Sequence, residues 1–136
     1  MRVPPETLLQ QLQNAAKGLM YPSETDAALE AFTWQSIKDS TFSIDKLLLA
    51  TRHKLNTPVD GLELADFFAP VSRVEEWMDD SEKLTAERFQ DLRETLEHLL
   101  ADISVYRVGE VNVDVYVVGR TEDGYYAGVS TKLVET

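Results

Sequence analysis

Hydrophobic positions recur at helical spacing over the first two thirds of the chain and at strand spacing over the last third. After Pro4-Pro5, Leu8, Leu9, Leu12, Ala16 and Leu19 follow a 3.6-residue period, which predicts a first helix ending near Gly18. Met20 to Asp26 contains Pro22, Ser23, Thr25 and Asp26 and is expected to be a loop. Leu29 to Gln35 suits a strand, with Phe32 and Trp34 on one face and Ala31 and Thr33 on the other. Ser43 can cap a helix carrying Ile44, Leu47 and Leu48 and reaching toward Leu55. Thr57-Pro58-Val59-Asp60-Gly61 breaks that pattern, and a short helix over Glu63 to Phe68 is expected to end near Pro70.

The strongest periodicity lies further on. Phe89, Leu92, Leu96, Leu99, Leu100 and Ile103 form one apolar stripe, with Thr85 as an N-cap and Arg93 and Glu97 at pairing distance. Beyond it the pattern changes to runs rich in Val and Tyr over Ser104 to Val108, Asn112 to Val118 and Tyr125 to Val134. Gly109-Glu110 and Thr121-Glu122-Asp123-Gly124 separate them, which predicts a meander of three antiparallel strands. The early strand is expected to join that meander. The predicted fold is therefore α+β: a four-stranded antiparallel sheet with helices packed on it, in a single domain spanning residues 1–136.

Composition narrows the class of function. The chain has no cysteine, which removes disulfides, thiolate metal sites and cysteine nucleophiles. No apolar run approaches a membrane span, and Met1 to Glu6 lacks a signal-peptide core, so a cytoplasmic location is expected. The formal charge of −11 repels nucleic acid and anionic membranes and favours a basic protein partner.

The chemistry of an enzyme is hard to find. His53 follows Arg52 near a helix end, and His98 lies about 180° around its helix from Phe89; both are expected to face solvent. There is no zinc-protease motif, phosphate loop, dinucleotide fingerprint or nucleophile elbow. Glu75-Glu76 and Asp79-Asp80 are adjacent in sequence, which in regular structure turns their side chains apart. The reading is of a non-catalytic protein without a cofactor. Three features suit binding instead: Glu24 on a compact loop, Trp77 beside Glu76, and Thr136 carried by the last strand with its hydroxyl and α-carboxylate. Each also has a plain structural reading, as a turn cap, a core anchor and a strand end.

Taken together these segments resemble the nuclease A inhibitor-like family. The resemblance is carried by Gly18-Leu19-Met20-Tyr21-Pro22-Ser23-Glu24-Thr25, Phe32-Thr33-Trp34, Glu76-Trp77 and Ala127-Gly128-Val129-Ser130-Thr131-Lys132-Leu133-Val134-Glu135-Thr136. It implies an α/β/α sandwich of the PR-1-like kind. It also implies inhibition of a sugar-non-specific, magnesium-dependent nuclease of the ββα-metal class, whose active site carries an Asp-Arg-Gly-His motif. By the resemblance, Glu24 would take the place of the scissile phosphate, and the Thr136 hydroxyl would bind the partner's magnesium ion. Glu76-Trp77 would form a second contact patch, although the family pattern has aspartate before the tryptophan. A monomer forming a one-to-one complex is the simplest expectation. The alternative is an interaction module of the same fold with a target other than a nuclease.

Overall fold

The computed structural model describes residues 3–37 and 42–136. Met1 and Arg2, part of the N-terminal reading above, lie outside the described residues. The elements are α1 (Pro5–Ala16), β1 (Met20–Tyr21), β2 (Ala27–Ala28), β3 (Glu30–Trp34), a 3-10 turn (Gln35–Ile37), α2 (Ile44–Ala50), β4 (Val59–Leu62), α3 (Leu64–Ser72), α4 (Asp80–Leu99), β5 (Ala101–Val108), β6 (Asn112–Arg120) and β7 (Tyr126–Val134). Among the described residues no helix is long and apolar enough to cross a membrane.

The main sheet has five strands in the order β3-β7-β6-β5-β4, every neighbouring pair antiparallel. The expected count of four is corrected by β4, which lies in the segment read as a helix break. Pro58 and Gly61 are turn residues by local preference. Pairing with Val105 to Val108 overrides that preference and makes Val59 to Leu62 an edge strand. A second departure is the β1-β2 ladder, in which Met20 faces Ala28 and Tyr21 faces Ala27. Its two-residue strands are too short to carry a period.

Alternation along the strands divides the side chains between two cores. On one face Val105, Val113, Val115, Val117, Ala127 and Val129 meet buried residues of α1, α3 and α4, including Leu12, Phe67, Phe89 and Leu92. On the other face Val108 packs with Leu47 and Leu48 of α2, and Trp34, Phe42, Tyr106 and Tyr116 close around them. Phe32 and Trp34 stack at 4.3 Å between ring centroids, as expected of residues sharing a face. Helices therefore cover both faces of the sheet.

Helix boundaries show where local chemistry decides. Ser43 caps α2, its hydroxyl accepting from the Lys46 amide at 3.2 Å. The cap of α4 is Asp79 rather than Thr85. Asp79 and Glu82 form a reciprocal capping box, with the Asp79 carboxylate accepting from the Glu82 amide at 2.8 Å. Thr85 instead lies one turn inside the helix and donates back to the Ser81 carbonyl. Leu55 is not part of α2 and is exposed. That helix closes through Arg52 at φ +61°, with the His53 amide bonded to the Leu48 carbonyl at 2.9 Å and the Arg52 amide to that of Leu49 at 3.3 Å. This is a Schellman closure carried by a residue other than glycine.

Candidate partner-binding site

Tyr21 anchors the loop that carries Glu24. Its ring is buried and stacks on Phe67 at 4.5 Å, and its hydroxyl donates to the Phe67 carbonyl at 2.7 Å. Burial raises its phenol above the ordinary range, so the hydroxyl remains a donor. From this anchor Pro22 to Asp26 run out over the surface and return as β2. The return is pinned from the main sheet: the buried Thr131 hydroxyl of β7 reaches the Ala28 carbonyl at 3.0 Å.

The loop is then stitched to the last residues of the chain. Ser23 folds it locally, its hydroxyl donating to the Thr25 carbonyl at 2.7 Å. The same oxygen accepts from the Val134 amide at 3.1 Å, while the Glu24 amide faces the Val134 carbonyl at 3.4 Å. Beyond β7, the Glu135 amide donates to the Val111 carbonyl at 2.8 Å. Thr136 completes the junction. Its amide donates to Glu24 Oε2 and its hydroxyl to Glu24 Oε1, both at 2.7 Å. Glu24 and Thr136 are both exposed, so their polar atoms form one tip at the surface. This places together the two residues singled out at opposite ends of the sequence.

Beside the tip is a groove of about 480 Å³. Leu62, Phe67, Pro70, Val115 and Leu133 give it apolar walls, and Arg107 and Glu135 meet there as an ion pair. The tip is thus a pair of oxygen-rich side chains at the rim of a mostly apolar depression. It can accept hydrogen bonds from a basic group and offer oxygens to a hard cation.

Glu76 and Trp77 occupy the middle of a turn between α3 and α4, closed by a bond of 3.2 Å from the Met78 amide to the Glu75 carbonyl. Trp77 is 73% exposed, so it is not a core anchor. No described contact joins this turn to Glu24 or Thr136. The nearest described connection is α3 itself, whose Pro70 lines the groove at the tip. The structure thus brings together two of the four expected site residues and leaves the other two as a separate exposed patch.

The histidines divide. His98 is exposed, as expected. His53 is not solvent-facing: its side chain is 19% exposed, with Nε2 at 2.8 Å from Asp114 Oδ2 and Nδ1 at 2.7 Å from Thr51 Oγ1. The Schellman turn at Arg52 redirects the chain toward β6 and produces that contact. Lys132 approaches the other Asp114 oxygen at 3.3 Å. Tyr116 packs beside His53, and burial followed by the Asp114 charge pushes its phenol up to about 12. These contacts tie α2 to the sheet. Among the described residues there is no group of three or more histidine or acidic side chains placed to hold a metal ion.

Two contributors escaped the sequence reading. Ser23 adjoins Glu24, but Pro-Ser is an ordinary turn signal. Arg107 had a clearer mark: strand alternation puts it on the same face as buried Val105, an unusual place for a charge. A model of the family described as nuclease A inhibitor-like protein matches residues 6–136. No curated protein matches the chain.

Proposed function

This chain belongs to the nuclease A inhibitor-like family, and we propose that it inhibits a sugar-non-specific, magnesium-dependent nuclease of the Asp-Arg-Gly-His class by occupying its active site. The observation that carries the reading is the Glu24–Thr136 tip. A nuclease that cleaves phosphodiesters must hold an anionic oxygen group beside a divalent cation and basic side chains. The Glu24 carboxylate offers that charge without a bond to hydrolyse. In the free protein the Thr136 hydroxyl donates a hydrogen bond to Glu24, which leaves the oxygen lone pairs of Thr136 for the partner's cation. Magnesium prefers oxygen ligands and keeps exchangeable waters, so the donor type fits.

The rest of the molecule serves encounter and retention. A charge of −11 attracts a basic cleft and speeds association, an effect that weakens as salt rises. The exposed Trp77, with Glu76 beside it, supplies apolar contact and a charge away from the metal. Glu76 keeps the charge of the family's aspartate and extends it by one methylene. On this reading the protein works as a single PR-1-like domain, without a cofactor of its own, in a one-to-one complex in the cytoplasm.

The test is inhibition of DNA hydrolysis by a purified nuclease of that class. The parent protein should suppress cleavage at micromolar concentration or below, and Glu24→Gln should be weaker while unfolding at the same temperature. Full hydrolysis in the presence of folded parent would sink the proposal for that nuclease. Capture of an unrelated protein by Trp77-dependent binding would then favour an interaction module.

A further inference from the structure

We infer that Arg107 is a positioning residue for the Glu24–Thr136 tip, acting through Glu135. The inference rests on the proposed inhibitory reading for its functional consequence but not for its structural one. It begins with alternation in the sheet. Arg107 is flanked in register by Asp60 of β4 and Val115 of β6, and Val115 faces Thr131 of β7. Continuing along β7, Leu133 and then Glu135 fall on that same face. Arg107 is therefore two strands away from the line of Glu135, roughly 10 Å at the usual spacing. An extended guanidinium can cross that distance, and Nη2 of Arg107 donates to Oε1 of Glu135.

This placement is costly if it serves packing alone. The side chain shares a face with Val105 and Val115, both buried, and its Nε is buried without a partner. A leucine there would carry no orphaned donor. What the arginine adds is a hold on Glu135, and both chain neighbours of Glu135 engage the Glu24 loop. Val134 exchanges contacts with Ser23 and Glu24, and Thr136 binds the Glu24 carboxylate. The β7 ladder stops at Val134; beyond it the Glu135 amide bonds the Val111 carbonyl and Thr136 bonds Glu24, and the Arg107 pair adds a side-chain hold to these bonds. The ion pair fixes the one side chain between two clamped residues. A fixed tip loses less freedom when it enters a partner's cleft, and that is where the effect on affinity arises.

The decisive measurement is backbone order at Thr136 in the free protein, by nitrogen relaxation. Glu135→Gln removes the charge partner without opening a cavity, and Arg107→Leu removes the guanidinium. In the parent the Thr136 order parameter should be about 0.85, and in either variant it should fall below about 0.6, with β6 unchanged. Arg107→Lys should recover part of the order. Inhibition by both variants should weaken roughly fivefold to tenfold. In a Glu24→Gln background the same changes should cost little more, because the tip they position is already impaired. Unchanged order at Thr136 in both variants would overturn the inference, whatever the inhibition. A parent that fails to inhibit would instead overturn the functional reading, and the order parameters would still decide the role of Arg107.

Discussion

Thr136 holds both carboxylate oxygens of Glu24, through its amide and its hydroxyl at 2.7 Å each, across 112 positions of chain. The two donors fix the carboxylate plane, which a single bond would leave free to rotate. The tip therefore has a defined shape before any partner arrives.

Thr136→Val keeps the shape of the side chain and removes the hydroxyl. The amide bond to Glu24 survives, so the tip loosens rather than collapses. Inhibition should weaken by about tenfold, the scale of one hydrogen bond to a charged group. The unfolding midpoint should not move, because the residue is exposed. Nuclease titration alongside thermal melting checks both halves.

Asp79→Ala removes the carboxylate that caps α4 and leaves the Glu82 amide without its partner. The expected cost is about 1 kcal/mol. For a chain of this size the melting temperature should fall by roughly 3–5 °C. Thr85→Ala, at the position favoured by sequence alone, should change it much less. Calorimetry of the two variants separates the assignments.

Arg52→Gly relieves a non-glycine residue of its left-handed conformation at φ +61°. The closing bonds of α2 use backbone atoms only and persist in the variant. Stability should rise by up to about 1 kcal/mol in urea unfolding. A loss instead would mean that the Arg52 side chain contributes more than its backbone strain costs.

Alkaline pH should destabilise the protein through Tyr116. Its phenol is pushed up to about 12 from 10.0, first by burial and then by Asp114. The folded state holds the proton more tightly than the unfolded state. The contribution is therefore fully present below about pH 10 and is lost as pH rises toward about 12. Urea midpoints across that range should fall, and Tyr116→Phe should flatten the decline. It should not abolish it, because Tyr21 and Tyr125 are also raised by burial.

The parts legible in the sequence were those written in local pattern. The apolar stripe of α4, with Phe89, Leu92 and Leu96 buried, follows from the 3.6 period. The meander of β5, β6 and β7 follows from valine-rich alternation and from Gly109 and Gly124, both at positive φ in the connections. Errors fell where a local signal was weak or ambiguous. Val59 to Leu62 reads as a turn because Pro58 and Gly61 dominate a four-residue window, and only the exposed edge of β5 makes it a strand. Asp79 reads as one of a run of acids, although its spacing to Glu82 is the capping signature.

The sequence by itself determined the mixed α and β content, most of the core and, through the nuclease A inhibitor-like motifs, the identity of Glu24, Glu76, Trp77 and Thr136 as residues to watch. These follow from short-range periodicity and residue type. Tertiary structure decided that Glu24 and Thr136 share one tip, that Arg107 reaches Glu135 across β6, and that His53 turns in to Asp114. The physical reason is the same in each case. A hydrogen bond between residues dozens of positions apart leaves no period in the chain, and its partners are chosen only when strands pair and the register is set.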